Sequence, residues 1–175
     1  MRDDVIEKVV DFDLGCEPSP SVPAETVLQD GWSTFLLFFA VSRGKNERGK
    51  LDDLGVAVVN CDGCVQSKFG YPNDEGQLEH RLYTQELSKR GESVFEVLNS
   101  KWALEVKSQM KESAVRIWGQ RNMLDQVNTD AEIRHFVVFL KEATFECLST
   151  RLVVDRFCGS FAEAQEYVLK VFDSH

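Results

Sequence analysis

Arg134-His-Phe-Val-Val-Phe-Leu140 and Thr144-Phe-Glu-Cys-Leu148 are two runs rich in apolar, β-branched and aromatic residues, separated only by Lys141-Glu142-Ala143. Three residues cannot carry a crossover helix, so the two runs are expected to pair as neighbouring antiparallel strands. Leu152 to Phe157 supplies a third strand on the C-terminal side. Ser160-Phe-Ala-Glu163 follows with capping-box spacing, in which the Ser oxygen and the Glu carboxylate satisfy free N–H groups at a helix start. Phe161, Ala164, Val168, Val171 and Phe172 then form the apolar face of a final helix.

Working back toward the N-terminus, Asn99-Ser100 can cap a helix whose stripe is Trp102, Val106, Met110, Ala114 and Trp118, with Gly119 as its stop. Phe95 to Leu98 reads as a short strand, and residues 120–132 as a polar loop. Trp32 to Ser42 (WSTFLLFFAVS) is apolar on both faces and reads as a central strand. Leu54 to Asn60 and Val65 to Phe69 flank Cys61-Asp-Gly-Cys64, and the Asp-Gly pair predicts a hairpin between them. Val5, Ile6, Val9 and Val10 fit one face of a short helix over residues 4–14, stopped by Gly15. Pro18, Pro20 and Pro23 mark residues 16–31 as an extended connector.

These elements predict one α+β domain over residues 1–175. An N-terminal helix and Pro-rich connector (1–31) precede a core (32–175) of mainly antiparallel sheet, with about three helices packed on one face. The size and the composition, 43% hydrophobic and 28% charged in 175 residues, suit a single globular domain with a full core.

Lys and Arg number 20 against 29 Asp and Glu, a net charge of −9. That charge repels phosphate backbones and argues against nucleic acid as a main partner; it suits solubility or docking to a basic protein. Five cysteines, an odd number, and an opening Met1-Arg-Asp-Asp4 unlike a secretory leader point to a reducing, cytoplasmic setting. No apolar run approaches the ~18 residues of a membrane span.

The segment from Gly70 to Tyr83 is the richest in chemistry. Asp74, Glu75 and His80 could perform general acid–base work, Tyr71, Asn73 and Tyr83 could orient a ligand, and Arg81 could pair with an anion. The same residues also suit a structural loop, since Pro-Asn-Asp makes turns and Tyr anchors loops. His135 lies in an apolar strand, where packing is the commoner role. Glu146 alternates with Phe145 and Cys147, so it faces either solvent or a cleft. Cys61-x-x-Cys64 is half a zinc knuckle with no second pair at matching spacing, and neither a metal nor a cofactor is implied. Arg43 to Lys50 forms a basic cluster, read as a solvated hairpin loop or, less strongly, a phosphate site.

Phe69-Gly-Tyr-Pro-Asn-Asp-Glu75, His80-Arg-Leu-Tyr83, Glu96-Val-Leu-Asn-Ser-Lys-Trp102, Arg134-His-Phe136 and Thr144-Phe-Glu-Cys147 together resemble a family of small, single-domain, uncharacterised bacterial proteins, over roughly residues 54–150. The resemblance implies no particular activity. The chain departs from the pattern where Arg81 stands for an expected Pro, and where Lys141, Glu142 and Ala143 stand for His-Asp-Ser. Two functions follow as expectations. One is a small acidic binding protein, immunity- or regulator-like, with a basic protein partner. The other is an enzyme or small-ligand binder, hydrolytic in type, using the loop at 71–83.

Overall fold

A computed structural model describes residues 6–83, 93–118 and 132–174. Two antiparallel sheets stack face to face with one helix on each outer surface. The first sheet has the order β1 (Lys8–Asp11), β7 (Val94–Leu98), β8 (Arg134–Phe139), β9 (Thr144–Ser149), β6 (Gln66–Gly70). The second has the order β10 (Arg151–Phe157), β5 (Leu51–Asp62), β4 (Thr34–Lys45), β2 (Glu17–Pro18), with β3 (Thr26–Gln29) also pairing β4. α1 (Lys101–Trp118) lies on the first sheet and α2 (Phe161–Phe172) on the second.

Strand alternation builds three apolar layers. In β4, Leu36, Phe38 and Ala40 point between the sheets, while Phe35, Leu37 and Phe39 meet α2 through Ala164, Val168 and Phe161. The reading of this stretch as a central strand with two buried faces therefore holds from Thr34 onward; Trp32 and Ser33 precede the strand, and Trp32 is exposed. In β8, Phe136 and Val138 point between the sheets, and Val137 and Phe139 point outward onto Phe95, Val97 and Leu82. His135 shares that outward face, because side chains alternate along a strand. The capping box predicted for the last helix is present in full at Ser160 and Glu163.

Four expectations need correction. Residues 4–14 do not form a helix over the described part: Lys8–Asp11 is an edge strand paired with β7, with Val9 opposite Val97. Its helical spacing rests on β-branched residues, which sit as readily on an open sheet edge. The Pro-rich connector is woven into the second sheet as β2 and β3, and Cys16 to Ser19 are buried. Cys61-Asp62-Gly63-Cys64 does not close a hairpin. β5 pairs with β10 and β6 with β9, so the chain crosses from one sheet to the other at Gly63. β9 and β10 make the same crossing at Thr150, beside Gly63, whose φ of 62 suits the sharp turn. Finally, the described residues hold two α-helices rather than three, on opposite outer faces, with a one-turn 3-10 helix at Gln77–Glu79. Gly119 and most of the polar loop at 120–132 lie outside the described residues.

Candidate functional site

The outward face of the first sheet holds an ionisable centre. Glu146 sits mid-strand on β9, opposite Val137 of β8 and Lys68 of β6. Its neighbours Phe145 and Cys147 fill the inter-sheet core, which turns the carboxylate outward beneath α1 and the loop at 71–83. The roof is firmly attached. Leu82 packs on Phe95, Val97, Val137 and Phe139, and the Thr144 hydroxyl donates to the Pro72 carbonyl at 2.6 Å. Trp102 of α1 meets the His135 ring edge-on at 5.1 Å, and the Lys68 ammonium lies over the indole at 3.7 Å.

Three cationic or polar groups converge on the Glu146 carboxylate. His135 Nε2 is 2.9 Å from Oε2, Arg81 is 3.2 Å from the same oxygen, and His80 Nε2 is 3.4 Å from Oε1. Glu146 is 8% exposed, His80 7% and His135 0%. Burial pushes the Glu146 pKa up, but the hydrogen bond from His135 and the adjacent His80 more than reverse it, so the carboxyl is held well below the usual range. His135 is pushed below 6.5 by burial, against the opposing pull of Glu146. The centre at neutral pH is therefore an ionised Glu146 facing a neutral His135.

The hydrogen-bond pattern fixes the tautomers. Ser100 Oγ lies 2.9 Å from His135 Nδ1 and accepts from the Ala103 N–H at 3.1 Å as the cap of α1. With His135 neutral, the Ser100 hydroxyl donates to Nδ1 and Nε2–H donates to Glu146. At His80, the Leu82 N–H points to Nδ1 at 3.3 Å, which leaves the ring proton on Nε2. That buried Nε2 has no well-aligned hydrogen-bond acceptor. Two histidines and a carboxylate are a familiar metal-ligand set, yet this arrangement does not suit a metal. Arg81 places a positive charge on the carboxylate, and His80 carries its proton on the nitrogen a metal would need. Among the described residues no group of three His, Cys, Asp or Glu is placed to hold a metal ion.

Of the residues singled out in the sequence, His80, Arg81, His135 and Glu146 come together. The loop carboxylates do not join them. Asp74 pairs with Lys141 at 2.6 Å, and Glu75 is exposed. Asn73 Oδ1 accepts from the Gly76 N–H at 3.0 Å, the turn-making role its type suggested. Tyr71 is exposed and hydrogen-bonds Glu79, and Tyr83 packs at the edge of the Leu82 cluster. In the basic loop, Arg43 is paired with Asp13 and Glu17, which removes one cation from the suggested phosphate site. Two residues of the centre went unnoticed in the sequence as functional groups. Ser100 was visible only as a cap. Glu7, whose carboxylate accepts from the Lys101 N–H at 2.9 Å and lies 3.6 Å from Arg81, carried no signal at all.

Beside this centre runs a cleft of about 390 Å³ whose lining includes Ser100, His135, Leu98, Ala103, Ile133 and Lys107. Among the described residues no helix is long and apolar enough to cross a membrane. No family model, no curated protein and no solved structure matches this chain.

Proposed function

We propose that the chain is a small hydrolase of the acyl-transfer type, with Ser100 as nucleophile, His135 as general base and Glu146 orienting His135. The observation that carries this reading is the hydrogen-bond relay Ser100 Oγ–His135–Glu146, with both links at 2.9 Å. Its polarity is what nucleophile activation requires: hydroxyl to imidazole, and the opposite ring N–H to an ionised carboxylate. The depressed His135 pKa keeps the ring unprotonated and able to accept, and the cleft reaches both Ser100 and His135.

In such a reaction Ser100 Oγ bonds to the acyl carbon as its proton passes to His135 Nδ1. The leaving group departs with that proton, giving an acyl-serine. Water then attacks the acyl carbon, His135 takes a proton from it, and the acid is released as the proton returns to Ser100. Glu146 stays ionised and stabilises the transient imidazolium. Ser100 is only 4% exposed, so this geometry suits a slim acyl group entering along the cleft.

Treatment with a fluorophosphonate, read by intact-protein and peptide mass spectrometry, tests the proposal. A single adduct on Ser100, lost in Ser100→Ala and in His135→Gln, is the expected result. Absence of any adduct on folded protein, together with no ester hydrolysis above buffer, rejects it.

A second reading is favoured by the net charge of −9 and by the exposed Trp32 (86%), held out on a turn by the Asp30 carboxylate. It is a binding protein for a basic partner, with Trp32 as an anchor. Its complex would weaken as salt rises. A low-salt pull-down from native lysate that recovers no basic protein disposes of it.

A further inference from the structure

The chain passes from β7 into α1 through only two residues, Asn99 and Ser100. Asn99 makes the turn in the left-handed region, with φ 54, and is the one non-glycine residue of positive φ among the described residues. Glycine takes that conformation freely, and asparagine is one of the few residues with a side chain that tolerate it. Asparagine rather than glycine at this turn places an amide one residue before Ser100, on the wall of the cleft that Ser100 and His135 also line. The Asn99 side chain is exposed and makes no hydrogen bond among the described residues, so its amide can serve a molecule in the cleft.

Attack of Ser100 Oγ on an acyl carbon moves the carbonyl π pair onto oxygen, and that oxyanion calls for a donor about 3 Å away. The other donors around the cleft are engaged or distant. Arg134 is held by Glu96 through two hydrogen bonds, at 2.7 and 2.5 Å. His135 is occupied with Ser100 and Glu146. Lys107 lies about two helical turns farther along α1. The backbone N–H that follows Ser100, that of Lys101, already donates to Glu7 at 2.9 Å. Among the side chains lining the cleft, the Asn99 amide is the donor that remains beside Ser100.

We infer that the Asn99 side-chain amide is the oxyanion donor of the Ser100 site. The inference deepens the hydrolytic reading and rests on it. Asn99 Nδ2–H donates to the former carbonyl oxygen as the bond from Oγ to the acyl carbon forms. When the C=O bond re-forms, the leaving group departs with the proton held by His135. The amide acts again when water adds to the acyl-serine. Its hydrogen bond strengthens only as charge develops on oxygen, so it acts on kcat and little on KM.

Hydrolysis of p-nitrophenyl acetate, with fluorophosphonate labelling of Ser100 alongside, tests the assignment. Asn99→Gly suits the left-handed turn and removes the amide, so its urea midpoint should stay close to that of the unmodified chain. Its kcat is expected to fall roughly 100- to 1,000-fold. KM should change less than about threefold, and the pH–rate profile should be kept because His135 is untouched. Asn99→Asp keeps the side-chain size and the tolerance of positive φ, but sets a carboxylate against the oxyanion and should lose at least as much. A kcat in Asn99→Gly within about threefold of the unmodified chain overturns the assignment, as does a loss confined to KM or a displaced pH–rate profile. Full activity in Asn99→Asp overturns it too. Where the unmodified chain neither labels at Ser100 nor cleaves the ester, the hydrolase and its oxyanion donor fall together. Labelling and turnover that survive Asn99→Gly reject the donor alone and leave the hydrolase standing.

Discussion

His135 and Glu146 stand diagonally across the β8–β9 ladder, with Val137 opposite Glu146 and Leu148 opposite His135, and their side chains meet at 2.9 Å. The contact is a consequence of register. A slip of one residue would turn one partner into the inter-sheet core and the other outward, so the hydrogen bond exists only in the pairing that also buries Phe136 and Phe145.

Acidification is expected to weaken the fold in two stages. The folded-state pKa of His135 lies below 6.5, so the unfolded chain binds that proton first. Its contribution is full above about pH 6.5 and declines as pH falls toward the folded value. Glu146 is held below its ordinary 4.5, so its contribution is present above that value and is lost as pH falls further. Urea unfolding followed from neutral pH downward should show both declines, and His135→Gln should remove the first. A stability that rises between pH 7 and pH 5.5 would contradict the arrangement.

Truncation of Glu146 should be costly because it strands its partners. Glu146→Ala leaves the buried His135 N–H without its acceptor and removes the carboxylate that His80 and Arg81 face, a loss of about 1–3 kcal/mol for a stranded buried donor. Glu146→Gln keeps one acceptor oxygen and should lose less. Chemical denaturation gives the difference, and hydrogen exchange at residues 77–83 should rise in the alanine variant, since His80 and Arg81 tie that loop to the sheet.

Ser100 carries two roles that substitution can separate. As the cap of α1 it accepts from the Ala103 N–H, and Ser100→Ala should cost about 1 kcal/mol on that account. Ser100→Asn restores a capping oxygen and most of that stability, but supplies no nucleophile. Both variants are expected to lose fluorophosphonate labelling and ester hydrolysis. Thermal melts read the first role, and labelling reads the second.

The sequence carried the strands more fully than it carried their partners. β4, β8 and β9 were legible because each is a long apolar run, and α2 because its cap and stripe agree. The two bent strand pairs were not, because Asp62-Gly63 reads locally as a hairpin turn and only the distant Thr150 reveals it as a corner between sheets. The centre was half legible for the same reason. His80, Arg81, His135 and Glu146 stood out by type, but His80 and Glu146 lie 66 positions apart, and sequence spacing says nothing across that distance. Asp74 and Glu75 have equal chemical promise and turn away, one to Lys141 and one to solvent. Glu7 joins the site only because residues 8–11 add to the sheet as a strand, where a helix was expected.

The second sheet contains a position where backbone conformation, not side-chain chemistry, limits substitution. Gly55 on β5 has φ 80, and a Cβ there would stand 2.6 Å from the Phe157 carbonyl oxygen on β10. Left-handed backbone costs a non-glycine residue about 1–2 kcal/mol. The overlap with a ladder carbonyl adds to this, since neither strand can withdraw without breaking pairs between β5 and β10. Gly55→Ala is therefore expected to destabilise the fold by about 2–4 kcal/mol once strain and crowding are combined. Gly44→Ala is the control: its Cβ would meet nothing within 4 Å and its φ is not in the positive region. Equal midpoints for the two variants in urea would show that β10 does not close against β5 at Phe157. A large gap between them would place the strain at that single contact, roughly a sheet away from the ionisable centre, and leave Ser100 labelling unaffected at temperatures where the variant stays folded.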